Sequence, residues 1–75
     1  MATNDKYDYA KLLGRIKEYG YTQETLAKAV HISPTSLNLS LNSKRPFRQE
    51  EIRRSCLLLD IPLQEVGIYF FSHEL

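Results

Sequence analysis

Residues 22–34, Thr-Gln-Glu-Thr-Leu-Ala-Lys-Ala-Val-His-Ile-Ser-Pro, leave the chain little choice of fold. Thr22 is an N-cap residue type, and Leu26, Ala27 and Val30 follow it at helical spacing, so a helix with one apolar face is expected over about 23–30. A second start signal comes only three residues after Val30. In Ser33-Pro34 a hydroxyl can accept from the first turn, and the proline's missing N–H costs nothing at the first helical position. The second helix spans about 34–42, with Leu37 and Leu41 one turn apart on its inner side. Two short helices joined so tightly must cross steeply. Ala27 is small enough for the crossing, Ile32 plugs the turn, and Leu37 anchors the second helix from beneath.

The rest of the chain reads as further short helices around this pair. With 75 residues there is room for one domain, and its core must be modest. The first helix covers about 9–19, with Asp8 as N-cap and Gly20 as its stop. Leu12, Ile16 and Tyr19 give it an apolar face, with Leu13 alongside. Gly14 inside it costs about 1 kcal/mol and is either a close-contact site or merely tolerated. Residues 42–47 form a polar loop closed by Phe47. A fourth helix over about 49–59 carries Ile52, Cys56 and Leu59 at core spacing. Asp60-Ile61-Pro62 breaks it, and Pro-Leu-Gln-Glu-Val-Gly-Ile-Tyr-Phe-Phe forms the fifth segment, with a strand at 68–71 as the open alternative. The expectation is a single all-α domain of five helices, burying Leu12, Ile16, Leu26, Ala27, Ile32, Leu37, Leu41, Ile52 and Leu59.

Composition narrows function mainly by exclusion. Apolar residues make up 43% and charged ones 25%, which fits a globular domain and not a disordered one. No apolar run approaches a membrane span, and the polar N-terminus is no signal peptide, so a cytoplasmic protein without membrane contact is expected. There is no glycine-rich phosphate loop, no nucleophile paired with a base and no grouping of carboxylates, so neither an enzyme, a cofactor nor a small-molecule substrate is expected. Cys56 reads as a buried small hydrophobe, and His31 and His73 are too few and too far apart for a metal site. Tyr69, Phe70 and Phe71 cannot all face one side of a helix or strand, so at least one should be exposed and available to a partner.

The net charge of +1 conceals an asymmetry. Lys44, Arg45, Arg48, Arg53 and Arg54 stand against Glu50 and Glu51, whereas residues 55–75 hold Asp60, Glu65 and Glu74 and no Lys or Arg. A basic patch is what a phosphate backbone needs, although a solvated helix start has the same composition.

The 22–47 segment resembles the helix-turn-helix of lambdoid phage repressors and Cro proteins. The Asp-Tyr-Ala-Lys-Leu start, the Leu-Asn-Ser-Lys-Arg-Pro-Phe loop and the Leu-Leu-Leu-Asp-Ile-Pro…Tyr-Phe-Phe ending are similar to small Gram-positive phage proteins. That group contains Cro-like regulators and modulator-of-repression antirepressors, and the likeness covers about residues 7–71. It implies a lambda-repressor-like domain in which the third helix is the recognition helix and Gln23 touches a phosphate. On the Cro-like reading, the protein regulates transcription in a lysis/lysogeny switch by binding operator DNA, as a homodimer on a two-fold site. Gln23, Asn42, Lys44, Arg45 and Arg48 would then hold phosphates, and Pro34, Thr35, Ser36 and Leu39 would face bases. On the alternative reading, the same surface binds the cognate phage repressor protein.

Two departures from the pattern stand out. His31 occupies the turn position usually given to glycine, but histidine accepts a left-handed backbone better than most residues. The third helix has no Gln, Arg or Lys at the base-facing positions and no charge from Ser33 to Ser43, so it lacks the side chains that read base edges bidentately. That neutrality, with Leu39 at its centre, favours a protein partner, whereas the fold and the basic loop favour operator DNA, which is the main expectation.

Overall fold

In the computed structural model, which describes residues 7–72, five α-helices follow one another: α1 (Ala10–Glu18), α2 (Gln23–Val30), α3 (Pro34–Leu41), α4 (Gln49–Leu59) and α5 (Val66–Phe70). A 3-10 turn, Leu63–Glu65, leads directly into α5. Tyr69 and Phe70 are therefore helical, with Phe71 just past the helix end, and no strand occurs among the described residues. Bounds match the sequence expectation for α2 and α4 and differ by one residue at the ends of α1 and α3. The N-cap of α1 is Tyr9 and not Asp8; the Asp8 carboxylate instead accepts from the Ala10 N–H at 2.9 Å.

Helix starts are set by side chains close in sequence. Thr22 and Thr25 form a reciprocal capping box: the Thr25 N–H donates to Thr22 Oγ1 at 3.1 Å, and the Thr22 N–H donates to Thr25 Oγ1 at 2.8 Å. Ser33 Oγ accepts from the Ser36 N–H at 3.0 Å, with Pro34 next in line.

Helix ends share a second device. α1 to α4 each close on a left-handed residue, at Gly20, His31, Ser43 and Asp60 respectively. In each case the following N–H reaches back six residues inclusive: Tyr21 to Ile16, Ile32 to Ala27, Lys44 to Leu39 and Ile61 to Cys56. This closes the orphan carbonyls of the last turn. Three of the four ends achieve it without glycine, and His31 (φ 68°) does so as the sequence led us to expect. Gly14, in contrast, faces open space, so it serves no close helix contact.

The core is continuous through all five helices. Leu12, Ile16, Leu26, Ala27, Val30, Leu37, Leu41, Cys56, Leu59, Ile61 and Phe70 are buried in it, together with Tyr9. Two expected members fall short: Ile32 and Ile52 are half-buried and pack against its edge. Tyr19 is exposed, lying beneath the Arg15 guanidinium at 4.9 Å. Arg15 also donates to the carbonyls of Leu59 and Asp60, at 2.8 and 2.6 Å, so it holds the end of α4 against α1.

The first and last described segments meet in an aromatic cluster. Phe47 stands edge-on to both Tyr9 and Phe70, with centroids 5.5 and 5.3 Å apart, and Tyr7 does the same to Phe71 at 5.9 Å. The Asp8 N–H donates to the Ser72 carbonyl at 2.6 Å beside them. No described helix is long and apolar enough to cross a membrane.

Candidate interaction surface

The face of α3 that its core residues leave outward carries Pro34, Thr35, Asn38, Leu39 and Asn42, all exposed. Leu37 and Leu41 are buried beneath, and Ser40 joins them, fully buried. Leu39 is 38% exposed in the middle of this face. Ser36 is half-buried, with both its N–H and its hydroxyl engaged by Ser33.

A chain of amides crosses the surface. Asn38 Nδ2 donates to Gln23 Oε1 at 3.3 Å, linking α3 to the first residue of α2. Asn42 Nδ2 donates to the Asn38 carbonyl at 2.8 Å. Gln23, Asn38 and Asn42 therefore form one neutral polar strip beside Leu39. It offers donors and acceptors but no charge.

The basic loop divides into two kinds of residue. Lys44 and Arg48 are exposed. Arg45, expected to reach outward for phosphate, has its guanidinium engaged at home and only 21% of its side chain exposed. It donates to Glu51 Oε2 at 2.7 Å, to Glu51 Oε1 at 3.0 Å and to Ser40 Oγ at 2.7 Å. Glu51 is buried and also accepts from the Arg48 N–H at 3.0 Å, capping α4. The hydrogen bonds from Arg45 hold the Glu51 carboxyl below the ordinary carboxylate range, against the opposing effect of burial. This bidentate pair bolts the loop and the end of α3 to the start of α4. Sequence reasoning saw Glu51 only as a charge offsetting the arginines. Its spacing three residues after Arg48, the N3 place of a capping box, was the available signal.

Of the expected site residues, the structure gathers Gln23, Pro34, Thr35, Leu39 and Asn42 on one surface, with Ser36 at its edge. Lys44 and Arg48 stand on the adjoining loop. His73, considered as a metal ligand, lies outside the described residues. Among the described residues no cluster of His, Cys, Asp or Glu suits a metal ion. Cys56 is buried, and burial raises its thiol pKa, as expected of a packing residue.

Fold and surface together define a small all-α module with a neutral, exposed α3 face. A protein-family model described as "Protein of unknown function (DUF739)" matches residues 5–73, and the chain belongs to this family. No curated protein matches it. A solved structure does: the modulator of repression (MOR) of the temperate bacteriophage TP901-1 from Lactococcus lactis, with 37% identity and a TM-score of 0.74. The match covers 87% of this chain and 88% of that one. The likeness is to a phage regulatory protein, and it extends to the whole five-helix arrangement.

Proposed function

We propose that the protein is an antirepressor, acting in the cytoplasm of a bacterial host by binding the cognate phage repressor through the outer face of α3. The observation that carries this reading is the face itself: no charge from Ser33 to Ser43, an amide strip from Gln23 to Asn42, and an exposed leucine at its centre. The likeness to a modulator of repression supports the same partner. Leu39 buried against a protein contributes about 1.5–3 kcal/mol by area. Against DNA it covers at most one thymine methyl.

The test is Leu39→Arg, analysed by size-exclusion with the phage repressor. Wild type should co-elute with the repressor, and the variant should not, because a lone charge in an apolar contact is costly. If wild type and repressor elute separately, the antirepressor reading fails.

A second reading, a dimer on two-fold operator DNA, is favoured by Lys44 and Arg48, which are exposed on the loop that follows Asn42 and could meet phosphates. Arg45 would then set the loop's shape and would not carry the contact. Wild type that shifts operator DNA at low salt without the repressor would support this reading. In that case Lys44→Gln should lower the salt slope by about one unit.

A further inference from the structure

α4 and the C-terminal segment frame an apolar groove of about 1080 Å³, with Ile52, Leu57, Leu63, Val66 and Phe71 in its walls. None of these residues belongs to the α3 surface. In a lone molecule Leu57 is 72% exposed, Leu63 is 87% exposed, and Phe71 is exposed beside them. Scattered exposed leucines need no explanation, but several around one groove mark a contact face.

The charges of this face indicate what covers it. Arg53 and Leu57 lie one turn apart on α4, and Asp60 follows at its left-handed C-cap; all three line the groove, in a row that runs past the end of the helix. The row is cationic at one end, apolar in the middle and anionic at the other. A partner of uniform charge matches only one of its ends. A second copy laid antiparallel matches both. With a two-fold axis near Leu57, the two leucines pack together and Arg53 of each copy meets Asp60 of the other. Arg53 and Asp60 stand on either side of Leu57 in the row, so the two ion pairs flank the leucine contact. Both charges are available for this. Arg53 holds only a long, exposed contact to Glu50 at 3.7 Å, and the Asp60 carboxylate is in no ion pair among the described residues. Leu63, just past the end of α4, then projects toward the groove of the other copy.

We propose that the groove face pairs the chain with a second copy of itself in a two-fold dimer, through Leu57, Leu63 and reciprocal Arg53–Asp60 pairs. This goes beyond the antirepressor reading and stands without it.

The test is sedimentation velocity on the full chain from low micromolar to millimolar concentration. Wild type should move from monomer to dimer as concentration rises. The double variant Leu57→Asp/Leu63→Asp should remain monomeric with unchanged helix content, since both side chains are exposed. Arg53→Glu and Asp60→Lys should each weaken the dimer by about tenfold or more, through like charges brought face to face. Combining the two should restore it, because the exchanged ends oppose each other again. A wild type monomeric throughout overturns the proposal, as does a dimer that survives the double leucine variant. A monomeric wild type whose repressor binding is lost in that variant also overturns it, placing the repressor in the groove. Leu39→Arg reports on the α3 surface separately.

Discussion

The α3 face and the α4–α5 groove are built in opposite ways. The first is polar and uncharged, with one leucine set among amides and hydroxyls. The second is an apolar groove, with exposed leucines and with Arg53 and Asp60 in its lining. Their supports differ as well. α3 is fixed by local caps at Ser33 and Ser43 and by the Arg45–Glu51 pair behind it. The groove depends on aromatic packing between segments far apart in sequence, Tyr9 and Phe47 with Phe70. The two proposed contacts therefore differ in chemistry: the polar face would gain selectivity from directed hydrogen bonds, and the apolar one strength from area.

The sharpest way to separate the two is to remove their supports in turn. Phe70→Ala should cost about 3–5 kcal/mol, because a fully buried ring is lost from the cluster that joins α5 to Tyr9 and Phe47. Hydrogen exchange should then rise first at α5 and the 3-10 turn, with α3 amides protected longest. Leu37→Ala should cost about 2–5 kcal/mol in chemical denaturation and reverse that order, loosening α3 first. A loss below about 1 kcal/mol would show that Leu37 is no anchor and that α3 is held by its caps alone.

A smaller effect is expected at Glu51. Glu51→Gln should cost about 2–3 kcal/mol at neutral pH, since Arg45 loses its charged partner in a mostly buried place. The pH dependence has a definite sign. The Glu51 carboxyl titrates lower in the folded chain than in the unfolded one, so its contribution is present above the unfolded value of about 4.3. It is lost as pH falls from there through the folded value. Wild type should therefore show a steeper acid limb of stability than Glu51→Gln; equal limbs would remove the pair from the account of how α3 is held.

The smallest change is at the turn. His31 is exposed and left-handed, and its imidazole makes no hydrogen bond among the described residues. His31→Gly should raise stability by about 0.5–1 kcal/mol by relieving that backbone, less the extra freedom of the unfolded chain. It should leave both contact faces unchanged. A loss of stability would mean that the imidazole has a role in the turn beyond its backbone.

The sequence by itself determined what is local. Thr22, Ser33-Pro34 and Gly20 act within a few residues of themselves, so helix starts and stops were legible with few errors. The periodic placement of Leu12, Ile16, Leu26, Leu37 and Leu59 marked the core side of each helix for the same reason. Tertiary structure decided whatever depends on a partner distant in the chain. Nothing near Arg15 in sequence indicates that it closes the end of α4. The burial of Glu51 follows from Arg45 and Ser40 converging on it, and that convergence turns an expected phosphate contact into an internal bolt. Of three adjacent aromatics, sequence showed that one must be exposed, but only the position of α5 against Tyr9 and Phe47 decided that Phe70 is buried and Phe71 borders the groove. Short-range hydrogen bonds are written in neighbouring residues, whereas burial is a property of the whole packed chain.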